Sequence, residues 1–110
     1  MGLTMALLNL ENSKSRRPQA VAKVQVSNEH FIVTEWRFAP GAETGWHTHG
    51  FNYAVVPLTN GDLLLETPDG FINAPLVAGQ SYARVIGVEH NVINNSLYEV
   101  VFVEIESRRS

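Results

Sequence analysis

The chain has 110 residues, 45% of them hydrophobic, which is enough for one core and one domain and excludes a second. Eight basic against eleven acidic residues leave a net charge of −3, so no basic face exists for a phosphate backbone and nucleic acid is not an expected partner. Because cysteine is absent, disulfides and thiolate ligands are excluded, and any metal must be held by nitrogen and oxygen donors.

Residues 1–19 read as an N-terminal arm or linker and residues 20–110 as the domain, since Glu11 to Gln19 is polar and carries Pro18. The apolar run Leu3 to Leu10 covers about half of a membrane span, and no Lys or Arg precedes it as in a signal peptide. The expectation is a soluble cytoplasmic protein with no membrane partner. Gly2 lacks the Ser or Thr that a myristoylation signal wants further on, because residue 6 is Ala6.

From Val21 onward the apolar residues fall in short runs between turn residues, the pattern of an all-β sandwich or barrel. Val24 and Val26 alternate with polar residues, and Ile32, Thr34, Trp36 and Phe38 share one face of a second strand. Tyr53 to Leu58 and Asp62 to Glu66 flank Asn60-Gly61, which predicts a tight type I′ hairpin. Pro68, Asp69 and Gly70 turn the chain into Phe71 to Leu76, and Gly79 opens a segment through Val85. His90 to Asn94 follows Gly87, and after a turn at Asn95-Ser96 the run Tyr98 to Ile105 puts Val101, Val103 and Ile105 on one face. Eight or nine antiparallel strands closed into a barrel or jelly roll would leave no open edges. The sequon Asn94-Asn95-Ser96 has no secretory signal to give it meaning.

His47 and His49 carry the chemistry. On a strand their spacing turns both imidazoles to one face, where His90, from a second glycine-anchored segment, can complete one side of a metal's coordination shell. The alternative is a metal-free, hydrogen-bonded histidine core.

Gly41, His47, His49 and Gly61 at these spacings resemble the first motif of the cupins, and Gly79, Gly87, His90 and Asn94 resemble the second. The two together span residues 41–94. The wording from Gly87 to Asn94, with the ending Val101 to Glu106, is similar to that of the small single-domain cupins associated with bacterial β-alanine degradation. The resemblance implies a single jelly-roll (cupin) β-barrel, a homodimer, and a divalent metal inside the barrel. Two departures stand out. The first motif normally supplies a glutamate ligand a few residues after its second histidine, where this chain has Tyr53 and Ala54, and Val85 replaces a proline usual in the second motif.

Three neutral imidazoles without that carboxylate leave a divalent ion its full charge, so the site is expected to take a small anionic metabolite. The ion could be zinc, nickel, iron, manganese or copper, all of which accept imidazole. The chemistry on offer is metal-dependent oxygenase-, hydrolase- or isomerase-type, possible in β-alanine or related catabolism. A non-catalytic, metal-dressed sensing or binding barrel is the alternative, and a purely structural metal is a third reading. Tyr53 is the candidate weak ligand or hydrogen-bond donor, and Arg84 the candidate clamp for a substrate carboxylate. Asn94 is a candidate for orienting a ligand or water. Glu43 and Glu89 are weighed as solvated loop carboxylates, Trp46 and Phe51 as packing or mouth residues, and His30 as a surface residue in the turn with Asn28 and Glu29.

Overall fold

The computed structural model describes residues 16–109, so the apolar run Leu3 to Leu10 lies outside the described residues. Nine strands and no helix are found there: β1 (Val21–Ser27), β2 (Phe31–Phe38), β3 (His47–Thr48), β4 (Asn52–Pro57), β5 (Gly61–Thr67), β6 (Gly70–Leu76), β7 (Tyr82–Arg84), β8 (Glu89–Asn94) and β9 (Val100–Ser107). They form two antiparallel sheets, β1-β2-β9-β4-β7 and β3-β8-β5-β6, which makes the chain an all-β jelly-roll barrel. No helix of the described residues is long and apolar enough to cross a membrane.

The core lies between the sheets and is built by strand alternation. Phe38, Val55 and Phe102 from the five-stranded sheet meet Leu63, Leu65 and Val92 from the other, and each such buried side chain stabilises the fold by about 1.5–3 kcal/mol. The face of β2 expected from the sequence, Ile32 to Phe38 in steps of two, is the inner one, with Thr34 and Phe38 buried. Along β9 the inner face changes character. Val100 pairs with Phe38 and Phe102 with Trp36, whereas Glu104 pairs with Thr34 and Glu106 with Ile32. The barrel is therefore apolar at one end and polar at the other, and the polar end holds the site.

One expectation is corrected. Asn60-Gly61 does not close a hairpin. β4 pairs with β7 and β9 while β5 pairs with β6 and β8, so the segment crosses from one sheet to the other, and no non-glycine residue described has positive φ. A hairpin would have used up the edges that β8 and β9 occupy. Gly61 is instead required by close packing, since a Cβ there would stand 2.5 Å from Cγ2 of the buried Val100. Val101, Val103 and Ile105 share a face of β9 as expected, and the barrel interior is lined by the other one, with Phe102, Glu104 and Glu106. A hairpin does form at β5–β6, turned by Pro68 and Asp69, with Thr67 opposite Gly70. Ahead of β1, Arg17 lies 3.8 Å from the Glu43 carboxylate, and the Pro18 carbonyl accepts from the Glu43 N–H.

Candidate metal centre

β3 is only two residues long, but it fixes the histidines. His47 pairs with His90 across β3 and β8. Past the end of β3, His49 stays extended because its N–H donates to the Val88 carbonyl and its own carbonyl accepts from the Gly87 N–H, each at 2.9 Å. The two-residue period therefore holds, and all three rings turn inward. His49 and His90 are each only 6% exposed.

Nε2 of His49 lies 3.1 Å from Nε2 of His47 and 3.1 Å from Nε2 of His90. Nitrogens bound about 2.1 Å from one ion stand about 3.0 Å apart at right angles and about 3.4 Å apart in a tetrahedron, so the trio fits a single ion. Its tautomers fit too. The His47 Nδ1–H donates to the Gly45 carbonyl at 2.9 Å, because that carbonyl can only accept, and Nε2 is left with its lone pair. Gly45 reaches this position through a left-handed turn (φ 88°), and its N–H donates to Asn91 Oδ1. Three ring nitrogens aimed at one point either share a proton or hold a cation.

The surrounding rows follow the sheet register. Ile32, Glu106, Tyr53 and Arg84 form one cross-strand row over β2, β9, β4 and β7, and Thr34, Glu104, Val55 and Tyr82 form the next. Tyr53 is 5% exposed and stacks on His49, ring centroids 3.8 Å apart and planes 18° from parallel, which fixes the imidazole plane. Arg84 lines the cavity beside His90 and Glu104, with its guanidinium carbon 5.2 Å from the Tyr82 ring centroid. The interior behind the histidines is small, about 30 Å³. On the outer side His47, His49, Glu104 and Glu106 look into a cleft of about 410 Å³ whose far wall is Ala22, Val24, Ile32 and Thr34.

The other expected residues are placed differently. Asn94 is 1% exposed and does not reach the site; its amide donates to the carbonyls of Phe38, Ala39 and Tyr98, and its Oδ1 accepts from the Ser96 N–H. Glu43 accepts from Asn91 Nδ2 at 2.9 Å and braces the histidine loop, while Glu89 is exposed. His30 is exposed beside Glu29, Trp46 is half exposed, and Phe51 lies under Arg108. Glu104 and Glu106 were not anticipated. The signal was present, since both are in phase with Phe102 on a strand whose other face carries Val101, Val103 and Ile105.

Burial, with the neighbouring His47 next, holds His49 down to about 4, and burial with His47 and Arg84 does the same for His90. Burial and then Glu106 push Glu104 up to about 7 against the Trp36 hydrogen bond, and burial raises Glu106 and Tyr53 as well. These shifts carry opposite signs in stability. Between about 4 and 6.5 the unfolded chain binds more protons than the folded one at His49 and His90, so the metal-free fold loses their contribution as pH falls through that window. Glu104 contributes at acid pH and loses its contribution as pH rises from about 4.5 to about 7. In urea unfolding of metal-free protein at pH of about 5, 6.5 and 8, Glu104→Gln is expected to gain more stability than the wild type between pH 5 and 6.5. An equal gain in the two proteins would show that Glu104 is already ionised in the fold at pH 5.

No protein-family model matches the chain. It is 72% identical over 92 residues to the beta-alanine degradation protein BauB of Pseudomonas aeruginosa, covering 84% of this chain and 97% of that one. A solved cupin domain from Bordetella pertussis Tohama I is 58% identical, with a TM-score of 0.83 over 86% of this chain and 98% of its own. A double-stranded β-helix protein from Klebsiella pneumoniae superposes with a TM-score of 0.69 at 20% identity, over 86% and 82% of the two chains, and so shares the fold alone. By its two antiparallel sheets, its inward histidines and these relatives, the chain belongs to the cupin superfamily and, within it, to the family of BauB.

Proposed function

We propose that the chain binds one divalent metal ion through His47, His49 and His90 and acts on a small anionic metabolite in β-alanine degradation or a related route. The observation that carries the metal is the convergence of three buried or half-buried imidazole nitrogens, 3.1 Å apart in two pairs, on strands held by backbone pairing. The name of the 72% identical relative supports the metabolic setting. A divalent ion held there supplies Lewis acidity to a substrate reaching the open cleft.

The chain's own groups have distinct tasks in this reading. Tyr53 keeps the His49 ring in plane by stacking, and its phenol, held protonated by burial, is a donor and not a ligand. Arg84 offers a planar fork for a carboxylate at the rim. His47 is locked in the Nδ1–H tautomer by Gly45, and Thr44 and Asn91 hold that loop. Ala22, Val24 and Ile32 give one side of the cleft an apolar wall.

The deciding experiment is elemental analysis by mass spectrometry on untagged, as-purified protein, beside the His47→Ala/His49→Ala and His90→Ala variants. The expected result is about one ion per chain in the wild type, at least tenfold less in both variants, and turnover of a small carboxylate by hydrolysis, isomerisation or oxygen consumption that needs the ion. A wild type that takes up no metal even after reconstitution would sink this reading. Saturable ligand binding without product would favour the non-catalytic sensing barrel.

A further inference from the structure

We infer that β9 completes the metal shell which the first histidine motif leaves short: Glu104 and Glu106 supply carboxylate ligands, so that the ion is held by nitrogen from one sheet and oxygen from the other. The inference rests on the three-histidine reading proposed above. It begins from register. The carboxylate position of the first motif is held by Tyr53, and the residue directly opposite Tyr53 on the adjoining strand is Glu106, with Glu104 opposite Val55. Directly opposed residues on one face of an antiparallel pair have Cβ atoms about 4.5–5.5 Å apart. The carboxylate lost from β4 thus has a counterpart one strand away, on the same inner face.

Distances agree. His49, Glu104 and Glu106 each present a ligand atom, and the three atoms lie within 4.8 Å of one another. Opposite ligands of a single ion stand about 4.2 Å apart, so these three atoms come near ligand spacing, and His49, which also belongs to the group with His47 and His90, is the residue that joins the two sets. Patterning points the same way. β9 turns Val101, Val103 and Ile105 to one face and places two partly buried acids two residues apart in the barrel beside His49, although the interior is where aliphatic side chains would stabilise most. Two neighbouring carboxylates facing a buried histidine cluster repel each other, with Arg84 the one fixed cation in the cavity lining beside Glu104, so a bound cation would stabilise the arrangement further. The chemical consequence is a mixed N/O set that brings the ion's charge close to zero, in contrast to the +2 of a bare three-histidine site.

The test is a Co²⁺ titration of metal-free full-length protein followed by visible absorption, on the wild type, Glu104→Gln, Glu106→Gln and the double variant. Gln keeps the shape and removes the charge. The double variant is expected to bind Co²⁺ at least tenfold more weakly and to show an altered ligand-field spectrum, which a carboxylate acting only through a neighbour would leave in place. If the double variant does not fold, the two single variants carry the same readout. Wild-type affinity and spectrum in all the variants would overturn the inference and leave the three-histidine reading standing, whereas a wild type that binds no Co²⁺ would overturn both.

Discussion

Replacing Asn94 with alanine is expected to destabilise the fold by about 3 kcal/mol, lowering Tm on the order of 10 °C for a chain of this size. The side chain is 1% exposed and joins three segments: the end of β2 at Phe38 and Ala39, its own strand β8, and the turn at Ser96 and Tyr98 that leads into β9. Alanine strips the Ser96 N–H and the Phe38 carbonyl of this partner at buried positions, and each unmet group costs about 1–3 kcal/mol. The lost volume adds a cavity term. Asn94→Leu separates the two contributions, because it restores most of the volume and none of the hydrogen bonds. Urea unfolding should find leucine no better than alanine. A leucine variant as stable as the wild type would mean that packing and not the amide network holds this corner.

That corner also shows what a single sequence can convey. Asn94 follows His90 in phase, so it reads as a possible site residue; nothing local tells that its amide is consumed by carbonyls on a strand more than fifty residues earlier. The histidine trio was legible because its geometry is local. Two residues of spacing decide the face of His47 and His49, and pairing of β3 with β8 does the rest. β5 and β6 were legible for the same reason, since Pro68, Asp69 and Gly70 act within one turn. Asn60-Gly61 misled because turn propensity is weaker than the preference of β4 and β5 for other strands, and the chain uses the glycine's small size where Val100 approaches. The acidic face of β9 was legible only in part: Glu104 and Glu106 are in phase with Phe102, but that this face lines the barrel follows from the register with Tyr53 and Thr34, which no local pattern carries.

Saturating divalent metal is expected to raise the stability of the metal-free chain by about 4 kcal/mol at a free concentration about a thousand times Kd, a Tm increase on the order of 15 °C. The size of the shift depends on how unequal the folded and unfolded chains are as ligands. His47 and His49 are two residues apart and can chelate an ion in either state, so they discriminate little between them. His90 is 41 residues from His49, and only folding brings its Nε2 within 3.1 Å. Among the histidines, the coupling of metal to fold should therefore rest on His90. Calorimetric melting with Zn²⁺ or Ni²⁺, reversed by chelator, is expected to show the full shift in the wild type and a clearly smaller one in His90→Ala, even where that variant still binds metal through the local pair. Equal shifts in the two proteins would mean that His90 is a spectator packed beside the ion. No shift in either would leave the three imidazoles as a hydrogen-bonded core, sharing one proton among nitrogens that the sheets hold together without an ion.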